Sequence, residues 1–517
     1  MHTKKLLLIT ITLITTLACS LVSGVAEQTE ISPTTTVAAI SADEPPAVSQ
    51  PESQAQPASG EALYLFAPNH STDTYLMNSE GAAMYTWTSV YNPGNAVYLL
   101  ENGNLLRTGT VKTDVFDAGG SGGIVQEIAP DSSVVWEYRY ADDQAQQHHD
   151  IEQMPDGNIL MIAWEYKTRA EAIAAGREPG LLKGGELWPD HVIEVDPATN
   201  EIVWEWHIWD HLVQDHDPAQ ANYGMVTEHP ELININFISR QAAADWNHIN
   251  SIDYNAELDQ IVLSVHNFSE IWIIDHGTTT EEAGGAAGDL LYRWGNPQTY
   301  DAGTAADQQF YVQHDAQWIP SDYPGEGNIL VFNNGEKRSR SYSSIDEITP
   351  PLNPDGSYTL TSGSAYGPEA PVWTYVAENP ADFFADHISG AQRLPNGNTL
   401  ICSGTDGVFF EVTPEGEVVW RYDYGRDVFR VMKISADDPR LAGLNLQPGE
   451  TLKAESGPNG QPSGTGQPPG NNGPPQRARD ACADLAVGAA CSFENPKGTV
   501  SGSCQSIQGQ LTCVPEK

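Results

Sequence analysis

The sequence predicts an all-β protein, a six-bladed β-propeller, and three observations carry that prediction. Six tryptophans, Trp87, Trp136, Trp204, Trp294, Trp373 and Trp420, mark short strands along the middle of the chain. Several of these strands are followed in one order by a loop, a His-containing strand, an Asn-Gly-type turn and an apolar strand. Long helical periodicity is scarce, with one short helix predicted near Thr168–Gly176. Six repeated sheets of four strands fit a propeller. A β-sandwich or a β-helix is the lesser alternative, since neither needs closure of a large ring.

Lys4 and Lys5 precede an apolar run, Leu6 to Val22, which reads as a secretory leader within residues 1–26. Leu17-Ala18-Cys19 resembles a lipobox that would leave a lipid-anchored Cys19, whereas Gly24-Val25-Ala26 suits ordinary cleavage. Residues 27–60 are rich in Ser, Thr, Pro, Ala and Gln, the composition of a disordered N-terminal tether. The propeller is expected over 61–445. A Gly/Pro-rich linker over 446–480 and a Cys-rich module over 481–517 follow. Cys482, Cys491, Cys504 and Cys513 crowd the last 36 residues and, in an exported chain, suggest two disulfides in any of three pairings. Cys402 lies in an apolar strand and reads as a buried thiol. The predicted location is therefore the periplasm or cell surface.

The formal net charge is −44, from 25 basic and 69 acidic residues. Such a field repels nucleic acid and anionic membranes, and no later segment is long and apolar enough to span a bilayer. An anionic substrate would need a local cluster of His and Arg to reverse the potential.

Four histidines supply candidates for that cluster. His149, His248, His314 and His387 each open a segment ending in an apolar strand. His149 follows Trp136 by thirteen residues, and His387 follows Trp373 by fourteen. Matched places in a repeat become equivalent places in space, so these imidazoles should meet at the mouth of a central channel. A lone His is more often structural; four at matched places weaken that explanation. Imidazole can be a metal ligand, a general base or a nucleophile. Anion transfer would also call for arginine, and Arg338 and Arg340 follow Gly335 in a loop leaving the His314 segment. Taken alone, both would read as solvated turn residues paired with Glu336 or Asp346.

The strings DWNHINSIDYNAELDQIVLS, FYVQHDAQWI, ILVFNNGEKR and SGAQRLPNGNTLICSG resemble the bacterial arylsulfate sulfotransferase family over about Tyr138 to Tyr424. That resemblance implies a six-bladed propeller. It also implies transfer of a sulfuryl group from a phenolic sulfate to a phenol through a sulfated histidine, without an adenylyl-sulfate cofactor; a phenolate is a tolerable leaving group, so no metal is required. Carried over by motif, His248 matches the histidine of DWxHxNSI, His314 that of QHxxW, and Arg338 the arginine after F(D/N)NG. Where the family often has Ser-x-Arg, this chain reads Ser264-Val265-His266. The stretch Cys402 to Gly407, where the sulfated histidine is expected, holds none, and His387 is the substitute offered by the preceding strand.

On this reading His387 attacks sulfur, His314 or His248 exchanges the phenolic proton, and Arg338 holds the sulfonate oxygens. His149, His266 and Arg340 bind, and Trp246, Trp318 or Phe268 stacks on the aryl ring, although blade packing is the better explanation for any single aromatic. Two rival readings stand beside it. One is a non-catalytic surface propeller binding a sulfated or glycan ligand; the other is a metal-dependent hydrolase or lyase using the His ring.

Overall fold

A computed structural model describes residues 62–238, 243–453, 481–482, 485–495, 498–507 and 510–515. The expected leader, lipobox and tether, and most of the Gly/Pro-rich linker, lie outside the described residues. Among those described, no helix is long and apolar enough to cross a membrane.

The described chain is nearly all β, with six four-stranded antiparallel sheets. Sheet 1 holds Met432–Ser435, Ala62–Phe66, Asp73–Asn78 and Ala83–Thr88, so the last strand of the series completes the first sheet. Sheet 2 runs Pro93–Leu99, Leu105–Thr110, Gly123–Ile128 and Val134–Arg139. Sheet 3 runs Ala145–Gln153, Ile159–Glu165, Asp190–Asp196 and Glu201–His207. Sheet 4 runs Ile249–Asn255, Gln260–Val265, Glu270–Asp275 and Tyr292–Trp294. Sheet 5 runs His314–Trp318, Ile329–Asn333, Ser344–Ile348 and Trp373–Tyr375. Sheet 6 runs Gly390–Arg393, Thr399–Ser403, Val408–Val412 and Val418–Asp423. Their middle strands are buried on both faces, which explains apolar runs such as ILMIAW and IVLSV.

All six marker tryptophans fall on the fourth strand of a sheet. Five of them tie that strand to the next sheet through the indole Nε1–H. Trp136 donates to Asn200 Oδ1 at 2.8 Å, Trp204 to Thr278 Oγ1 at 3.4 Å and Trp294 to the Pro368 carbonyl at 2.8 Å. Trp373 donates to the Pro414 carbonyl at 2.8 Å, and Trp420 to the Ser79 carbonyl at 3.2 Å. In sheet 1 the tie comes from Tyr85, whose hydroxyl donates to the Pro130 carbonyl at 2.5 Å, while Trp87 is buried beside it. These bonds link sheet 1 to sheet 2, each sheet to its successor, and sheet 6 back to sheet 1.

The first strands of successive sheets are tied by side chains as well. Tyr98 donates to Asp150, Asp150 accepts from the Ile252 N–H, Asp253 accepts from the Trp318 N–H, and Asp315 accepts from the Ala391 N–H. Several of these strands carry a register shift with a left-handed residue at or beside it. Asn95, His149, His248 and Asp315 have φ between 49° and 95°. Such bulges re-aim side chains at strand ends.

The short helix expected near Thr168–Gly176 spans Arg169–Ala174, and Thr168 and Glu171 cap it. Beyond the sixth sheet the chain does not leave at 446. Gln447, Gly449 and Leu452 donate backbone N–H groups to Met84, Ala83 and Gly81, covering the open edge of Ala83–Thr88. The C-terminal module is a three-stranded sheet of Ala490–Asn495, Gly498–Ile507 and Gln510–Pro515. Of the three pairings open to sequence, it has Cys482–Cys504 and Cys491–Cys513. Cys402 is free and buried.

Candidate functional site

Five imidazoles form a continuous run across the starts of sheets 3, 4 and 5. Ring centroids are 5.1 Å apart for His148 and His149, and 4.6 Å for His149 and His248. They are 5.0 Å apart for His248 and His266, and 5.3 Å for His266 and His314. Left-handed backbone at His149 (φ 49°) and His248 (φ 56°) swings both rings toward one another. His266 begins the turn after Gln260–Val265, and its N–H donates to the His248 carbonyl at 3.1 Å. The Ser264-Val265-His266 sequence thus places a third ring between His248 and His314.

Each ring has its own fixed partner. His248 Nδ1 lies 2.5 Å from Asp245 Oδ2, and Asp245 Oδ1 accepts the Trp164 indole N–H at 3.0 Å. Burial pushes the His248 pKa down, but Asp245 and Asp190 outweigh it and hold it above the usual histidine value. Its Nε2 has no hydrogen-bond partner among the described residues. His314 is fixed at both nitrogens. The Asn334 amide nitrogen donates to the Ala385 and Ile388 carbonyls, so its Oδ1 accepts from His314 Nδ1–H at 2.8 Å. His314 Nε2 then accepts the Ile388 N–H at 3.2 Å. Burial drives the His314 pKa down to about 3, with the Asn334 hydrogen bond opposing. The ring is therefore neutral at ordinary pH.

His148 was not singled out by sequence, yet it joins the group to a buried carboxylate. Its Nε2 is 2.9 Å from Asp190 Oδ1, and its Nδ1 is 2.9 Å from His149 Nδ1. Trp164 stacks on the His148 ring at 4.0 Å, and Asp190 Oδ2 accepts the Ile249 N–H at 2.8 Å. His148 and His149 are held well below the usual histidine pKa by burial first and by neighbouring imidazoles second. Asp190 is pushed well above the carboxylate range, chiefly by burial and then by Asp245.

Next to the run lies an ionic centre that the sequence also concealed. The Arg430 guanidinium lies 2.6 Å from Asp150 Oδ2 and 2.8 Å from Asp315 Oδ1. It spans the first strands of sheets 3 and 5. Burial raises Asp253 to about 7 and Asp315 to about 6, with Arg430 opposing the shift at Asp315. Gly390 allows this approach, since a Cβ there would fall 2.3 Å from Asp315 Oδ2 and 2.8 Å from Arg430 Cγ.

The remaining sequence candidates are dispersed. His387 sits at the rim with 55% of its side chain exposed and its Nδ1 2.7 Å from Asp386. Left-handed backbone at Ile388 and Ser389 turns the chain between it and the strand at Gly390. Asp386 also accepts from Lys337 at 2.7 Å, which brings the 335–340 turn to the same rim. Arg338 is exposed in that turn and has no ion pair among the described residues. Arg340 lies elsewhere, in an open cavity of about 400 Å³ with Asn333, Tyr311, Tyr342 and Asp346. Strand alternation explains the separation, because Asn334 faces His314 while Asn333 faces Asp346 and the Arg340 cavity.

Trp246 is buried, donates to the Phe237 carbonyl at 3.1 Å and packs edge-on against Phe268. Phe268 is equally buried, so neither is a platform at the rim, and packing accounts for both. Trp318 is buried in the strand His314–Trp318. As for metal, the only trio of ligand-type side chains whose donor atoms all lie within 4.8 Å, among the described residues, is Cys482, Cys491 and Cys504. Their sulfurs are engaged in disulfides.

The chain is thus an all-β protein of six linked sheets that carries a buried imidazole run. The arylsulfotransferase (ASST) family model matches residues 48–437, well over half of the chain, and the protein belongs to that family. No curated protein matches it. Among solved structures, a Bacteroides caccae protein of unknown function aligns at 12% identity over 72% of this chain and 99% of its own, with a TM-score of 0.41. A putative 6-phosphogluconolactonase from Bacteroides uniformis aligns at 10% identity over 73% and 100%, with a TM-score of 0.36. Virginiamycin B lyase from Staphylococcus aureus aligns at 9% over 70% and 84%, with a TM-score of 0.33. Overlaps this loose carry no argument about this chain.

Proposed function

We propose that this chain is a closed six-bladed propeller that transfers a sulfuryl group from an aryl sulfate to a phenol through a sulfated histidine. Ring closure is supported by the indole and phenol bonds that tie every sheet to the next and return from Trp420 to Ser79. The activity rests on family membership and on one observation above the rest: His149, His248, His266 and His314 share one run of rings.

The residues divide the work by their protonation. Burial lowers the His314 pKa to about 3 and leaves it neutral, orienting rather than exchanging protons. His248, backed by Asp245, can carry a proton on Nε2, give it to a departing phenolate and take one from the incoming phenol. Arg338, exposed at the rim beside Lys337, reaches for the non-bridging sulfonate oxygens. A phenolate leaves readily enough that no metal or nucleotide carrier is called for. Location in the periplasm or at the cell surface would follow from the expected leader, and a lipid anchor at Cys19 is the alternative to release.

The test is release of a coloured phenol from an aryl sulfate, with and without a phenol acceptor. Wild-type protein should turn over faster with the acceptor, and His314→Ala and Arg338→Ala should each abolish turnover. Undiminished rates in both variants would remove the site. Non-catalytic binding of a sulfated glycan is what remains if the wild type binds aryl sulfate but never releases phenol.

A further inference from the structure

We propose that His149, not His387, is the imidazole that takes the sulfuryl group, and that His148 and Asp190 form a proton relay holding it in the attacking tautomer. This rests on the sulfotransferase reading above.

The geometry is a chain of two hydrogen bonds. Asp190 Oδ1 is 2.9 Å from His148 Nε2, and His148 Nδ1 is 2.9 Å from His149 Nδ1. Each bond holds one proton. Burial holds the Asp190 pKa up, so the attacking form is the one reached when Asp190 gives up its proton: His148 Nε2–H then points to the carboxylate, and its Nδ1 must accept. His149 then donates from Nδ1 and keeps a lone pair on Nε2, which has no hydrogen-bond partner among the described residues. Trp164 stacked on His148, the Ile249 N–H on Asp190, and complete burial of His148 and Asp190 leave the relay no freedom to turn.

His149 itself is clamped by the backbone of Gly120, whose carbonyl accepts the His149 N–H at 2.8 Å. A Cβ at Gly120 would stand 2.0 Å from the ring, so glycine is what lets the loop lie on it. His248 is 4.6 Å away, close enough to serve the same oxygen that leaves His149's sulfur. His387 lacks all of this. It is more than half exposed, and among the described residues its only hydrogen-bond partner is the neighbouring Asp386. An N-sulfo group there would stand in water.

The Nε2 lone pair of His149 forms an N–S bond as the ester S–O bond breaks. The electron pair leaves on the aryl oxygen, which takes the Nε2 proton of His248. The positive charge created on the His149 ring is relieved when its Nδ1 proton moves to His148 and the His148 Nε2 proton moves to Asp190. The acceptor phenol reverses each transfer, giving its proton to His248 as its oxygen takes the sulfuryl group.

The test is to treat full-length protein with an aryl sulfate and no acceptor, quench in alkali and map the sulfuryl mass by peptide sequencing. Label on His149 is expected, and it should persist in His387→Ala. Asp190→Asn should lower kcat by ~10²-fold or more with little change in KM, and should abolish the pH dependence of labelling that wild type shows. Label on His387, or phenol transfer without label on His149, overturns the inference while sparing the sulfotransferase reading. Neither label nor turnover in the wild type overturns both. Because the decisive readout is made on wild-type protein, a poorly folding variant does not blur it.

Discussion

The Trp420 indole donates its Nε1–H to the carbonyl of Ser79 across 341 residues of sequence, at 3.2 Å, while its ring stacks on Tyr64 at 4.2 Å. One residue of sheet 6 thus holds two elements of sheet 1. Trp420→Phe keeps most of the stack and loses only the hydrogen bond. It should cost about 1 kcal/mol, and Trp420→Ala more, in equilibrium denaturation. Equal stability of both variants and wild type would show that this seam carries no load.

Arg430 presents a different kind of closure, because its two partners come from sheets 3 and 5. Arg430→Met removes the guanidinium and leaves Asp150 and Asp315 buried without it. The expected loss is about 3–5 kcal/mol, read from the denaturation midpoint at constant slope. A loss under about 1 kcal/mol would mean that the two carboxylates find protons or water at little cost.

His314 gives a pH dependence whose sign is fixed. Its folded pKa, about 3, is below the unfolded value, so the unfolded chain binds the extra proton first as pH falls. The contribution is complete above about pH 6.5 and is lost progressively as pH falls toward the folded value. Asp253 and Asp315, raised to about 7 and about 6, work in the opposite sense, since their contribution falls as pH rises. The clean measurement is therefore the stability difference between wild type and His314→Gln. It should shrink by about 2 kcal/mol between pH 6.5 and pH 5, at 1.36 kcal/mol per unit. A difference independent of pH would mean that the ring is accessible to protons in the fold.

Asp245 should matter to catalysis more than to stability. Its carboxylate sets the orientation of His248 and holds the His248 pKa up. Asp245→Asn should lower kcat for aryl sulfate by ~10²–10⁴-fold and move the basic limb of the rate profile to lower pH. An unchanged profile would exclude His248 as the proton carrier.

Much of the site's first layer was legible in sequence because repeats put equivalent residues at equivalent places. His149, His248 and His314 lie at or beside register shifts in the first strands of their sheets, and the motif strings acquire physical meaning around them. In DWNH the aspartate three residues before His248 holds its ring. In FNNG it is Asn334 that fixes His314, and in QHDAQW Gln313 donates to the Glu270 carbonyl. The doublet His148-His149 was itself a signal, since a second imidazole beside the first is a ready-made relay partner. Its carboxylate was hidden, because Asp190 is 42 residues away and begins an apolar strand.

Sequence alone sufficed for the all-β class and for the six tryptophans that mark the fourth strand of each four-stranded sheet. Those features depend on local alternation, turn chemistry and repetition, which are written along the chain. Which side chains stand together was settled by the folded chain. It parted Arg340 from His314 through the alternation of Asn333 and Asn334, turned His387 outward by the left-handed backbone after it, and drew Arg430 between Asp150 and Asp315. These outcomes depend on the aim of a strand end and on burial beside distant charges, and no local pattern encodes either.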